Sequence, residues 1–274
     1  MDLPLRNSRI KLPSGQIFWR EVGQGPILVF LHGSWNDSSQ WLKVIEHLSQ
    51  SYHCFAPDLM GFGESEQPQV HYSVQLEVEC LFSYLEALQL SQVYLIGHSL
   101  GGWIAASYAL KHGSQVKGLV LLSPEGIQTK EQQASWWWTR WLGGRPQLVY
   151  SFLKVFGFGA QLVGKGKFID TLLKRQQQLL NSPIACQLLF GRRRSEIEAE
   201  LLQEQLDYLK VPTLILQGRK DSSEAIARSQ LYAKRLAIAK LRMIDIGGND
   251  LPEALPGLVA KHIHDFVKSY SATR

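Results

Sequence analysis

The feature with the clearest chemistry is a serine between two glycines, in the segment Gly97-His98-Ser99-Leu100-Gly101. A serine hydroxyl attacks a carbonyl only when a base takes its proton, and the oxyanion that forms needs prepositioned N–H donors. Because a G-x-S-x-G pattern is short enough to arise by chance, its structural context decides what it means.

The context of this serine is a buried strand, predicted at Val93–Gly97, followed by a helix predicted at Leu100–Lys111. A strand-turn-helix arrangement of this kind lifts a serine to the carboxyl edge of a sheet. Glycines at 97 and 101 leave room for a tight turn. The alternative is that Ser99 only caps the helix.

Apolar strand patterns alternate with helical periodicity along the rest of the chain, which predicts an α/β fold with a mostly parallel sheet. The other strands are predicted at 16–22, 26–31, 53–57, 116–123, 213–217 and 241–246. The other helices are predicted at 41–48, 73–88, 224–236 and 255–267.

The alternation stops between Ser123 and Thr213, a stretch too long for a structureless connection in a compact domain. We therefore predict a core formed by residues 1–125 and 209–274, and an inserted helical cap, or lid, at residues 126–208.

Three further segments lie where loops should follow strands. They are His32-Gly33, the turn Asp58-Leu59-Met60-Gly61-Phe62-Gly63-Glu64-Ser65, and Gly218-Arg219-Lys220-Asp221. Together with the serine turn, they resemble the α/β-hydrolase superfamily, in its branch of capped single-domain serine hydrolases of the esterase and lipase type. The resemblance covers nearly the whole chain and implies an eight-stranded, mostly parallel sheet flanked by helices.

By this resemblance, Ser99 is the nucleophile and Asp221 is the acid that orients the base. The oxyanion hole would consist of the backbone N–H groups of Leu100 and of Ser34, with Trp35 as an alternative to Ser34. Asp221 also has a second interpretation, as a cap of the following helix with Glu224 at capping-box spacing.

The chain departs from the family at the base, because Asn249 occupies the slot after the last strand where a histidine is expected. A carboxamide donates and accepts hydrogen bonds but has no basicity near neutral pH. Relocation of the base to another histidine, or use of Asp250, would be alternatives. Three explanations remain open: a variant with Asn in place of His, a natural hydrolase of low activity, and a non-catalytic binding protein.

The predicted cap suggests the substrate. The chain has a net charge of +5, and residues 126–195 hold eleven of its cations against two acidic residues. The same stretch includes Trp137, Trp138 and Trp141, which we predict contact substrate together with Trp35 and His98. This pattern favours a small apolar ester-like substrate, with peripheral contact between the cap and a membrane surface as a further hypothesis.

No motif indicates a cofactor, a metal site or nucleic-acid binding. The cysteines Cys54, Cys80 and Cys186 are widely separated, and the N-terminus has no continuous apolar stretch. These two features predict a cytoplasmic location, and the resemblance implies a hydrolase acting on a carboxylic ester or a related acyl or C–C bond. The alternative from another class is a ligand- or partner-binding pseudoenzyme on the same fold.

Overall fold

The computed structural model describes residues 4–128, 147–151, 154, 177, 179–180 and 182–271. The chain divides into two compact units, one formed by Met1–Thr129 with Glu200–Arg274 and the other by Lys130–Ala199. The second unit falls inside the stretch 126–208 that the sequence assigns to a cap, and its role as a lid stays a prediction.

The first unit is built on one sheet of eight strands in the order β1-β2-β4-β3-β5-β6-β7-β8. The strands are β1 Arg6–Leu12, β2 Gly15–Val22, β3 Ile27–Leu31, β4 His53–Pro57, β5 Val93–His98, β6 Val116–Leu122, β7 Thr213–Gly218 and β8 Ala239–Ile244.

Strand direction determines where the loops meet. β1 pairs with β2, and β2 with β4, in antiparallel fashion, whereas all the pairs from β4 to β8 are parallel. The carboxyl ends of β3, β5, β6, β7 and β8 therefore lie at one edge of the sheet. This is the edge where open α/β sheets place their ligands.

The helices of the first unit connect these strands. They are α1 Leu42–Leu48, α2 Val74–Ala87, α3 Leu100–Lys111, α6 Ser223–Arg235, α7 Leu251–Ala254 and α8 Pro256–Ser271. Short 3₁₀ turns occupy Ser38–Trp41, Gly113–Gln115 and Leu206–Tyr208.

Helices cover both faces of the sheet. On one face, α1 and α8 pack over a buried cluster that includes Leu28 and Phe30 of β3. On the other face, Leu31 of β3 lines a small cavity together with Leu81 and Tyr84 of α2. Alternate residues of one strand thus point to opposite sides, as expected for a sheet buried on both faces.

Helix α2 buries a carboxyl group against the turn that follows β4. The Glu77 side chain is 1 % exposed, and its Oε2 accepts a hydrogen bond from the Met60 N–H at 3.1 Å. Its Oε1 is buried without a hydrogen-bond partner. Burial raises the pKa of Glu77 to about 8, so near neutral pH this group is largely protonated.

The described part of the second unit is helical at its end. Helix α4, Pro183–Cys186, starts with proline at its first position and continues into a π-helical turn at Gln187–Gly191. Helix α5 follows at Arg194–Glu200. Within the described ranges, no helix has both the length and the apolar character needed to cross a bilayer.

Candidate active site

Ser99 occupies a strained turn between β5 and α3. Its backbone has φ 51° and ψ −111°, a combination that costs energy for a residue with a side chain and that clusters at functional sites. Although Ser99 stands at the cap position of α3, its hydroxyl makes no capping hydrogen bond. The alternative of a purely capping serine is therefore wrong.

The glycines on either side of this turn are required by close packing. A Cβ at Gly97 would lie 2.3 Å from the backbone oxygen of Gly101, and a Cβ at Gly101 would lie 2.2 Å from the backbone oxygen of Leu31. No side chain fits at such distances, so the turn depends on glycine at both positions.

The loop after β3 lies directly against Ser99. A Cβ built on Gly33 would be 3.5 Å from the Ser99 Cβ. Leu100 is the first residue of α3, so its N–H has no acceptor within the helix. The next residue of the loop, Ser34, is buried, and its hydroxyl oxygen has no hydrogen-bond partner. Trp35 follows it and is half-buried.

The turn after β4 holds this loop in place. Asp58 is buried and accepts hydrogen bonds from the backbone N–H groups of Ser38 and Glu64, both at 2.7 Å. The ring of His32 accepts a hydrogen bond from the Leu59 N–H at 3.0 Å. Burial lowers the pKa of His32, which keeps its ring neutral and able to accept.

Asp221 and Asn249 meet at the ends of β7 and β8. The Asp221 Oδ2 accepts hydrogen bonds from the Asn249 Nδ2 at 3.2 Å and from the Gln217 Nε2 at 3.0 Å. The cap of helix α6 is Ser222, whose hydroxyl accepts from the Ala225 N–H. Asp221 itself is therefore not the helix cap, and the alternative interpretation of this residue is wrong.

His98 connects the segment after β3 with the loop after β8. Its Nδ1 lies 3.1 Å from the Gln40 Nε2, and its Nε2 lies 2.8 Å from the backbone oxygen of Asn249. Because an amide nitrogen donates and a carbonyl oxygen accepts, the ring carries its proton on Nε2. Burial lowers the pKa of His98, which agrees with a neutral ring. With both ring nitrogens used, His98 connects these loops, and the substrate contact expected from the sequence stays a prediction.

Gln40 extends this network to the loop after β3. Its Oε1 accepts from the Gly33 N–H at 3.0 Å, and its Nε2 also donates to the Glu253 Oε1 at 2.6 Å. Glu253 accepts a second hydrogen bond from the Asn36 side chain. Sequence reasoning had indicated neither Gln40 nor Glu253, because buried polar bridges of this kind follow no spacing rule.

The other residue that sequence reasoning missed is Glu125, three residues beyond the end of β6. Its Oε1 accepts a hydrogen bond from the Ser99 hydroxyl at 3.1 Å. Its backbone N–H donates to the Ser99 backbone oxygen, also at 3.1 Å. The signal available in the sequence was a carboxylate, in Ser123-Pro124-Glu125, just after a predicted strand.

Three expected substrate-contacting residues, Trp137, Trp138 and Trp141, lie outside the described residues. Across the described part of the chain, no group of three or more His, Cys, Asp or Glu side chains is arranged to hold a metal ion. What the structure does assemble is a serine, a carboxylate in contact with it, and an acid–amide pair, all on neighbouring loops of one sheet edge.

Comparison with known proteins agrees with this architecture. A family model described as the alpha/beta hydrolase fold matches residues 26–250. An uncharacterized protein of Mycobacterium bovis is 35% identical over 109 residues, which are 40% of this chain and 32% of that protein. The chain thus matches about a third of that relative's length.

Two further comparisons cover most of the chain. Human monoacylglycerol lipase ABHD6 is 26% identical over 267 residues, which are 92% of this chain and 78% of that protein. The crystal structure of a membrane phospholipase A, a bacterial virulence factor, superposes with a TM-score of 0.76 at 24% identity. It covers 97% of this chain and 87% of that one, and at this identity the likeness concerns the fold.

Proposed function

Because the chain belongs to the α/β-hydrolase family, we propose that it hydrolyses a carboxylic ester, or a related acyl or C–C bond, with Ser99 as nucleophile. The observation that carries this proposal is the Ser99 backbone at φ 51°, which holds a hydroxyl that caps nothing at the carboxyl edge of the sheet. Strain of this kind is retained where a side chain must be held in one reactive position.

The oxyanion formed by attack would be bound by the backbone N–H groups of Leu100 and Ser34. Two observations support this. Leu100 begins α3, where the N–H groups point out of the helix and favour negative charge. The loop that carries Ser34 lies against Ser99, since a Cβ on the preceding Gly33 would come within 3.5 Å of the Ser99 Cβ.

We propose that Asn249 occupies the position of the family's catalytic histidine, with Asp221 as its acid. The hydrogen bond between Asn249 Nδ2 and Asp221 Oδ2 supports this assignment, because it reproduces the contact that an acid makes with the base it orients. An amide there cannot take a proton from serine, so this chain lacks the ordinary form of base.

The substrate we propose is a small apolar ester. One support is the human relative that is named a monoacylglycerol lipase. The other is the presence of tryptophans at positions 35, 137, 138 and 141. A cytoplasmic location and peripheral membrane contact through residues 126–208 remain proposals. Flotation with anionic vesicles at low salt tests the membrane contact, and a chain that stays at the bottom of the gradient refutes it.

The test of the main proposal combines fluorophosphonate labelling with turnover of short- and long-chain p-nitrophenyl esters. We expect labelling of the parent chain at Ser99, and its loss in Ser99→Ala. Asn249→His supplies an imidazole beside Asp221 and serves as the reference for the family's usual base. If neither the parent nor Asn249→His is labelled or turns over any ester, the hydrolase proposal fails.

A second candidate function is non-catalytic binding of a ligand or partner on the same fold. The observation that favours it is the Asp221–Asn249 pair, which holds an amide where the chemistry normally needs an imidazole. This candidate predicts that an apolar ester binds without turnover in both the parent and Asn249→His.

A further inference from the structure

We infer that the Glu125 carboxylate accepts the proton of Ser99 and so acts as the general base that Asn249 cannot be. This inference rests on the proposed hydrolase function and adds the missing member of its mechanism. It departs from the family's Ser-His-Asp arrangement, because the base contacts the nucleophile directly and comes from the loop after β6.

The contact has the geometry that proton transfer requires. The Ser99 Oγ and the Glu125 Oε1 are 3.1 Å apart, within the range of about 2.6–3.2 Å expected for a general base and its proton donor. The sheet produces this proximity, because β5 and β6 are parallel neighbours with His98 opposite Leu122. Ser99 directly follows the one strand, and Glu125 comes three residues after the other.

The backbone of Glu125 is held on both sides. Its N–H donates to the Ser99 backbone oxygen, so nucleophile and carboxylate are tied together. Its carbonyl oxygen accepts a hydrogen bond from the hydroxyl of Tyr232 on α6. Burial raises the pKa of Tyr232, so this hydroxyl stays protonated and donates.

Backbone strain marks this loop as it marks the serine turn. Ser123, two residues before Glu125, has φ 43° and is buried. Among the described non-glycine residues only Gln89, Gln92, Ser99 and Ser123 have positive φ. Two of these four residues stand at the ends of the adjacent strands that bring Ser99 and Glu125 together, which fits a paired functional role.

Two other groups considered for this role, His98 and Asp221, have different partners. Both ring nitrogens of His98 are hydrogen-bonded, to Gln40 and to the Asn249 carbonyl. Asp221 is bonded to the Asn249 amide. In the described residues, the one hydrogen bond of the Ser99 hydroxyl goes to Glu125.

The reaction balances with this single carboxylate. In acylation, the Ser99 proton moves to Glu125 while Oγ bonds to the carbonyl carbon. The tetrahedral oxyanion then collapses, and Glu125 returns the proton to the departing alcohol oxygen. In deacylation, Glu125 takes a proton from water as the hydroxide attacks the acyl carbon, and gives it to Oγ as the acyl–serine bond breaks. Ester and water become acid and alcohol, and Glu125 ends ionised.

The experiment compares the parent chain with Glu125→Gln, which keeps an oxygen to accept the serine hydrogen bond but cannot take the proton. We expect Glu125→Gln to lower kcat/KM and the rate of Ser99 labelling by about 100-fold or more, the usual contribution of a general base. Adding Asn249→His to Glu125→Gln should restore activity, because an imidazole beside Asp221 then takes over the role.

Matched controls keep the result specific. Glu204→Gln makes the same change at an exposed position and should leave the rates unchanged, and circular dichroism checks that each variant folds. Glu125→Ala supplies a second, independent measurement. Its activity should rise with added formate, which can enter the vacated space as an external carboxylate, whereas the activity of Glu125→Gln should not.

Two other outcomes would overturn the inference, and a third would refute the hydrolase proposal. A Glu125→Gln rate within about threefold of the parent, too small a change for loss of a general base, overturns the inference while the hydrolase proposal stands. An inactive parent chain together with an active Asn249→His variant would also overturn the inference and leave the hydrolase proposal standing. Inactivity of both chains instead refutes the hydrolase proposal itself.

Discussion

The loop after β6 and the loops after β7 and β8 each place a carboxylate in a hydrogen bond with a polar side chain. The two hydrogen bonds have nearly the same length, 3.1 Å from the Ser99 hydroxyl to Glu125 and 3.2 Å from the Asn249 amide to Asp221. The partners differ in chemistry, since a hydroxyl can become a nucleophile and a carboxamide cannot act as a base. An acid of the expected type at the expected place therefore does not by itself identify which group would act as the base.

The largest effect that separates the two loops should come from Asp221→Asn placed in two backgrounds. In the parent chain, where we propose that Glu125 is the base, the loss of kcat/KM should stay below about tenfold. In the Glu125→Gln/Asn249→His background, where an imidazole depends on Asp221 for its tautomer, the loss should be about 10³-fold or more. Steady-state kinetics on one p-nitrophenyl ester measures both.

A large loss of activity for Asp221→Asn in the parent chain would reverse the roles assigned to the two sets of loops. If Asp221→Asn costs about 10³-fold in the parent chain, an effect of the size that a triad acid produces, then the loops after β7 and β8 drive catalysis. Glu125 would then be a structural residue of the β6 loop.

A smaller effect should follow from cutting the bridge between the loop after β3 and the loop after β8. Gln40→Ala removes the partner of the Gly33 N–H and of the His98 Nδ1, both in the interior. Unpartnered buried groups should lower the free energy of unfolding by about 2–3 kcal/mol. Denaturant unfolding measures this, with the exposed Gln230→Ala on α6 as control.

The rate of Ser99 labelling in Gln40→Ala tests whether the Gln40 bridge or the loop after β6 determines the reactivity of Ser99. Because Glu125 is held from α6 and from Ser99 itself, labelling should fall less than about tenfold in this variant, well short of the loss of a base. A collapse of labelling in a folded Gln40→Ala chain would show that the bridge, and not the β6 loop, sets the reactivity of Ser99.

The smallest effect should come from Tyr232→Phe, which removes the hydroxyl that donates to the Glu125 carbonyl. We expect kcat to fall severalfold with KM unchanged, since the change loosens the carboxylate without touching substrate. The free energy of unfolding should fall by about 1 kcal/mol. Tyr208→Phe, at a tyrosine that is 76% exposed, is the control. A lowered KM or an unchanged kcat would argue against a positioning role.

Much of the fold was predictable because buried parallel strands are short, continuous apolar runs. The predicted strand at 53–57 and helix at 100–111 coincide with β4 and α3, and the others shift by a few residues at their ends. Strand β1 was missed. Its sequence, Arg6–Leu12, is mostly polar and exposed because it lies at the edge of the sheet, so its pairing with β2 and not its own hydrophobicity defines it.

The site was predictable to the extent that local motifs describe it. The serine turn, Asp221 and Asn249 follow from short segments next to strands, and the structure brings Asp221 and Asn249 into contact. Glu125 could not be found in this way. Its contact with Ser99 spans 26 residues and depends on β6 lying beside β5, which is a property of sheet order and register.

The buried carboxyl of Glu77 couples folding to proton uptake at this one side chain. The unfolded side chain ionises near pH 4.5, whereas burial raises its folded pKa to about 8. Between these values the folded Glu77 side chain binds more protons than the unfolded one. The contribution of this group to stability therefore falls as the pH rises through the window, by up to about 1.4 kcal/mol per pH unit. Glu77→Gln should remove this contribution to the pH dependence and be more stable than the parent above pH 8. Urea unfolding of the parent and of Glu77→Gln between pH 4.5 and pH 8 would measure how much this one buried acid contributes to the pH dependence of the free energy of unfolding.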